Sequence, residues 1–171
     1  MTVMEAIQNR FSVRSYLQKS VEPDKLQRLL EAARLAPSAG NRQEWRFVVV
    51  ATEATREALM HAAREQRFVG EAPVVIVACA EHVEHVMPCG QLSYPIDVAI
   101  ALEHIALQAV EEGLGTCWIG AFDEARVKEI LGIPDEVRVV ELITVGYPAV
   151  APGPKNRMAM KEIVMYERWG K

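Results

Sequence analysis

Residues 97–113, "DVAIALEHIALQAVEEG", are apolar almost all the way round a helix, with Asp97 as the expected N-cap and Gly113 as the C-terminal stop. A helix of that kind has little surface to turn toward water. It belongs at the centre of a domain or along the seam of a dimer, and in a chain of 171 residues it can serve as both. Glu103, His104 and Gln108 interrupt it well before an apolar run could span a bilayer.

Outward from this helix, the chain alternates between helical and extended patterns. Thr2 and Glu5 have the spacing of a capping box, so a short helix should end close to Arg10. Pro23 opens a second helix with Leu26, Leu29, Leu30 and Ala33 on one face, ending before Pro37. "WRFVVVAT" (45–52) reads as a strand, residues 53–65 as a surface helix, and "PVVIVACA" (73–80) as the next strand. After the central helix come an extended stretch at 115–122, a capped helix at 123–133 and a buried strand at 136–148. The tail "KNRMAMKEIVMYERWGK" carries Ile163, Val164, Tyr166 and Trp169, so it is expected to pack on something. Alternation alone favours a layered α/β sheet, yet no G-x-G-x-x-G lies between strand and helix, and "GLGTCWIG" follows a helix instead of opening one.

Composition narrows the function. Half the residues are hydrophobic, as in one compact domain, and the net charge of -4 offers no general attraction to nucleic acid or anionic membrane. An anion would have to be bound by a local cation cluster. Without a signal peptide pattern, the chain is expected to be cytoplasmic. Cys79, Cys89 and Cys117 are widely spaced and suggest neither a disulfide framework nor a zinc ribbon. His82, His85 and Cys89 in "EHVEHVMPC" have helical spacing, but Pro88 breaks the run and no fourth ligand follows, so no metal is expected.

The cations are in "RFSVRSY" (10–16). If this stretch is extended, Arg10, Ser12 and Arg14 share a face suited to a phosphate with further acceptor atoms; the competing interpretation is a solvated pair salt-bridged to carboxylates. In "PSAGNRQEW" (37–45), the small residues Ser38, Ala39 and Gly40 permit close approach of backbone to a flat ligand, and Asn41 and Gln43 can read its edge. The alternative there is an ordinary helix-to-strand turn.

Taken in order, "RFSVRSY", "APSAGNRQEW", "APVVIVACA", "IDVAIALEHIALQAVEEGLGTCWIGAF" and "GYPAVAPGPKNR" resemble the nitroreductase family of FMN-dependent oxidoreductases over essentially the whole chain. The resemblance implies an α+β fold with a mixed, largely antiparallel sheet flanked by helices, in an intertwined homodimer. Residues 1–171 would be a single domain, with 155–171 as an arm packed on the partner. It further implies that Arg10, Phe11 and Ser12 hold the phosphate and ribityl end of FMN, that Arg14 reaches the flavin pyrimidine edge, and that Lys155 and Arg157 form a second phosphate-binding pair. Pro37, Ser38 and Ala39 would pack on the ring from the partner subunit, with Asn41 supporting that loop. Gln66 would contact the pyrimidine ring, and Ile119 and Gly120 would place backbone beside the flavin N5 atom.

The implied activity is hydride transfer from NADH or NADPH to FMN and on to a nitroaromatic, quinone or similar flat electrophile by a ping-pong mechanism, with no catalytic side chain required because the flavin carries the chemistry. A flavin-binding carrier or sensor without turnover is the alternative. A dimer that has lost its flavin is a third option, and it leaves Arg10, Arg14, Lys155 and Arg157 without a ligand. This chain departs from the family in three ways: it is short between the second strand and the central helix, it has Glu44 where proline is common, and it has Ile119 where some members carry an acid.

Overall fold

The computed structural model describes residues 1–170. Four strands, β1 (Trp45–Val50), β2 (Val74–Ala80), β3 (Gly115–Ile119) and β4 (Arg138–Gly146), form one sheet in the order β1-β2-β4-β3. All three junctions are antiparallel, which corrects the layered α/β expectation drawn from alternation alone. A parallel pairing enters only as an isolated bridge between Ser12 and Thr116 on the outer edge of β3. The fold is α+β, as the resemblance implies.

Helices cover both faces of this sheet. That explains why β2 is apolar at every position and buried throughout. On one face α5 (Tyr94–Glu111) packs with α2 (Pro23–Arg34) against Ile76, Ala78, Ile143 and Val145. On the other, α3 (Glu53–Ala62), α4 (Arg67–Glu71) and α6 (Glu124–Leu131) enclose Val75, Val77 and Leu142. The apolar girth of α5 follows from its position, since it has the sheet on one side and both α2 and α1 (Val3–Asn9) on the other. Each fully buried side chain there, such as Leu102 or Ile105, contributes about 1.5–3 kcal/mol of transfer free energy.

Most local signals hold. Thr2 and Glu5 form the capping box, Pro23 opens α2, Asp123 caps α6 through Arg126 N–H, and Gly113 follows the end of α5 with φ +71°. Two do not. The expected surface helix at 53–65 stops at Ala62, because Arg64 and Glu65 turn into the left-handed region at φ +57° and +60°, and a separate α4 follows. Helix α5 begins at Tyr94, so Asp97 is not its N-cap. Pro95 lies in the first turn, where its missing N–H costs nothing.

The N-terminal segment reaches its place over two glycines. Gly115 and Gly146 face each other across β3 and β4. A Cβ on Gly115 would run into Val13 and Pro148; one on Gly146 would meet Pro73 and the Tyr16 ring. Val13 N–H donates to Thr116 O at 2.9 Å, and Leu17 N–H to Tyr147 O at 2.9 Å. The buried Tyr16 hydroxyl donates to Val13 O at 2.9 Å and lies 2.7 Å from Thr144 Oγ1.

We expect Gly115→Ala to cost about 1–3 kcal/mol, the range for overpacking a filled site, read as a lower urea midpoint at unchanged m-value. Combining it with Val13→Ala should give less than the sum of the two single losses, because the methyl groups compete for one space.

Candidate functional site

Arg10 leaves the end of α1, where its own N–H bonds Ala6 O at 2.9 Å. Its guanidinium Nε lies 3.8 Å from the Glu103 carboxylate on α5. Arg14 extends over the Phe68 ring, 6.0 Å from its centroid, and pairs with no carboxylate among the described residues. The bridge between Ser12 and Thr116 sets this run beside β3, where burial pushes the Cys117 thiol up and Arg14, Ser12 and Arg10 pull the other way.

Cations from the far end of the chain join them. Lys155 Nζ donates to Ile7 O at 2.9 Å, fixing it on the last turn of α1. Its ammonium is held below the usual lysine range, first by burial and then by Arg10 and Arg157. Among the described residues Arg157 donates only to the neighbouring Asn156 O, at 2.9 Å. Three cations thus converge where Glu103 is the one carboxylate paired with any of them among the described residues. Such a cluster can bind a phosphate-sized anion.

The open edge of β3 continues from this cluster. Thr116 O points outward to Val13 N–H, so by strand alternation Trp118 also directs its backbone groups away from β4. Gly120 follows at the strand's end. Gln66 Nε2 donates to Ala63 O at 2.9 Å and Ala121 O at 3.2 Å, tying the N-terminus of α4 to this segment. Arg10, Ser12, Arg14, Gln66, Gly120 and Lys155 thus lie along β3 and its continuation, with Phe11 packed against the core, Ile119 buried in it, and Arg157 two residues beyond Lys155.

Pro37, Ser38, Ala39 and Asn41 lie elsewhere. Their loop is held in a strained form, with Gly40, Asn41 and Gln43 at φ +58°, +56° and +53°. Gln43 N–H donates to Ser38 Oγ at 3.0 Å, and Ala39 N–H donates to the buried Asp97 carboxylate at 3.1 Å. Asp97 thus anchors a loop instead of capping its own helix. Glu44, also buried, accepts from Ser93 Oγ at 3.2 Å at the start of α5. Asp97 and Glu103 are about 9 Å apart along the α5 axis and point to different sides of it. Within one chain, the loop and the cations are not brought together.

The remaining sequence features are accounted for more simply. A short hairpin joined by the Val86–Leu92 bridge carries Cys89 at its exposed turn, and no group of three metal-ligating side chains forms among the described residues. No helix is long and apolar enough to cross a membrane. The tail from Ala151 to Gly170 is exposed almost throughout, Trp169 at 91 %. Sequence reasoning missed Phe68, Asp97 as a loop anchor, and Glu103; the visible sign for Glu103 was a charge inside an otherwise apolar helix.

A model of the Nitroreductase family matches residues 7–82 and 60–147. A protein of Thermus thermophilus called NADH dehydrogenase is 32% identical over 188 residues, covering 92% of this chain and 92% of its own length. The solved structure of a nitroreductase family protein from Clostridium difficile 630 superposes with a TM-score of 0.87 at 32% identity, covering 98% of this chain and 99% of that one. That of an FMN-dependent nitroreductase from Clostridium difficile R20291 does so with a TM-score of 0.85 at 28% identity, over 97% and 99%.

Asp97→Ala should release the 37–43 loop. Removing a hydrogen bond to a charged acceptor costs about 1.5–3 kcal/mol. Amide exchange at Ala39 and Gln43 should accelerate accordingly, while exchange in β2 slows or quickens only as global stability dictates.

Proposed function

The chain belongs to the nitroreductase family, and from that premise we propose that its cation cluster and open sheet edge hold FMN, with the ring completed by a second copy of the chain. The protein is an NAD(P)H-dependent flavin oxidoreductase with FMN as cofactor. Its acceptors are nitroaromatics, quinones or similar flat electrophiles, reduced in a ping-pong cycle.

The residues present fit this group. The observation that carries the assignment is the convergence of Arg10, Lys155 and Arg157, from opposite ends of the chain, with too little carboxylate to satisfy them. A phosphate supplies the missing charge, and forked guanidinium donors suit its oxygens. Ser12 donates beside them. Arg14, braced on Phe68, stands toward the pyrimidine edge, where a cation stabilises negative charge on a reduced ring. Both Nε2 hydrogens of Gln66 are already used, so its carbonyl oxygen is the atom left to accept from a ring N–H. Ile119, paired with Leu142, carries the strand to Gly120, whose backbone is the next one offered at the open edge of β3.

When bound, FMN supplies hydride transfer between NADH or NADPH and the acceptor, and the protein supplies orientation and electrostatics. No side-chain nucleophile is needed. Pro37, Ser38 and Ala39, with Asn41 in support, cover the ring from the partner, which explains why the loop is stiffened yet set apart from its own chain's cations. Residues 155–171 form the arm that packs on that partner, Lys171 lying outside the described residues.

Arg10→Ala combined with Arg157→Ala should yield a folded dimer that retains little FMN after desalting. Removing two charge-assisted hydrogen bonds, at about 1.5 kcal/mol each or more, weakens binding by at least about 100-fold. Flavin absorbance measures occupancy directly; full occupancy in the double variant would refute the phosphate assignment. In wild type, anaerobic NADH or NADPH should bleach bound flavin, and a quinone or nitroaromatic should restore it.

A further inference from the structure

Glu141 is the charged residue in the middle of β4, within the apolar run "VVELITV". Ala78 faces it across β2, while Ile119 pairs with Leu142, so the next position along that ladder brings Gly120 opposite Glu141. The Glu141 carboxylate oxygens stand 3.3 and 3.4 Å from where a Cβ on Gly120 would be. Glycine therefore lets the carboxyl lie against the backbone of the open edge.

Nothing among the described residues partners it. Glu141 is half-buried, and among the described residues no hydrogen bond or salt bridge reaches its side chain. Other acids have partners: Glu124 with Arg138 at 2.9 Å, Glu103 with Arg10, and Asp97 with Ala39 N–H, while Glu44 accepts from Ser93 through Oε2 and leaves its buried Oε1 without one. On α5, His104 bonds Ala32 O at 3.1 Å. On α2, Asp24 and Glu31 pair with Arg28 and Arg34, and Lys25 donates to Glu112 O. Glu81, just after β2, pairs with Arg46 at 2.6 Å. Beside Glu141 on the sheet itself stand Ala78, Ile143 and, two residues before Gly120, Trp118. Burial alone raises its carboxyl above the ordinary range. A half-buried carboxyl with no protein partner keeps part of its water and has donor and acceptor capacity left for a ligand seated against it.

We propose that Glu141 is a ligand-contacting residue of the FMN site, its protonated carboxyl donating a hydrogen bond to the ring edge received at Gly120 and losing that bond on ionisation. This rests on the assignment of Gly120 to the ring. Below its titration point the carboxyl donates to a ring acceptor atom; above it, a bare carboxylate faces that atom and repels it.

The test is a set of FMN titrations of wild type and Glu141→Gln from pH 5 to 9, reading both the dissociation constant and the visible absorbance band of bound flavin. Wild type should lose affinity by about tenfold across one proton step, the worth of one hydrogen bond, and the flavin band should shift with the same midpoint. Glu141→Gln, which keeps a donor and cannot ionise, should follow the low-pH wild type at every pH. Identical pH profiles in the two proteins would overturn the proposal. Should the variant fail to fold, infrared spectra of wild type decide instead: the protonated-carboxyl stretch should shift when FMN is added to the apoprotein, and an unmoved band would also overturn it. Wild type that binds no FMN at any pH would reject the underlying FMN assignment, a separate outcome.

Discussion

The crossing of the N-terminal segment over the Gly115–Gly146 pair is the constraint on which the site depends. Two facing glycines remove side chains from adjacent strand ends, and Val13 and the Tyr16 ring fill the space. Filling it sets the path of residues 11–17, and Val13 N–H fixes their register on Thr116. With Val13 buried, the side chains alternating with it face out until Tyr16, where the chain turns its ring back into the core. Arg10, Ser12 and Arg14 are thereby presented along the edge of β3 without any dedicated scaffold. The buried hydroxyl network of Tyr16 and Thr144 makes the same crossing polar as well as tight, so the segment cannot slide without exposing unsatisfied groups.

Charge then does what packing alone cannot. Lys155 and Arg157 are brought to Arg10 from the other end of the chain, against their mutual repulsion. Glu103 offsets part of that repulsion from a half-buried position on α5, where burial raises its own carboxyl and Arg10 pulls it back down. An arrangement left short of negative charge is poised for an anion, whereas one neutralised by its own carboxylates would have to break ion pairs to bind. Arg14 fits the same logic. Its partner is an aromatic face, which orients the guanidinium while leaving its donors free.

Local chemistry was legible in the sequence, and spatial pairing was not. The capping box at Thr2, the proline start of α2 and the Asp123 cap are interactions within four residues, and each forms as read. Strand order is different in kind: helix–strand alternation is shared by parallel and antiparallel sheets, and only long-range pairing places β4 between β2 and β3. Asp97 illustrates the limit within one helix. Its residue type fits an N-cap, but Pro95 allows the helix to begin earlier, so the carboxylate is free for Ala39 N–H. The cation cluster was readable as residue types in order along the chain. Glu141 was visible as a charge in an apolar strand, though nothing local linked it to Gly120.

Two features left unpaired within the chain point the same way. The 37–43 loop is stiffened at conformational cost, with two non-glycine residues in the left-handed region, yet most of it is exposed. The tail carries Met158, Met160, Ile163, Tyr166 and Trp169 into solvent. Apolar side chains exposed at that density along one segment are a liability unless another surface covers them. The proposed second copy would answer both at once, supplying a surface for the tail and receiving the loop over its own ring site. In that proposed dimer α5 would have a second role: lying between the loop and the cations of one chain, it would leave each ring site to take its two halves from different copies.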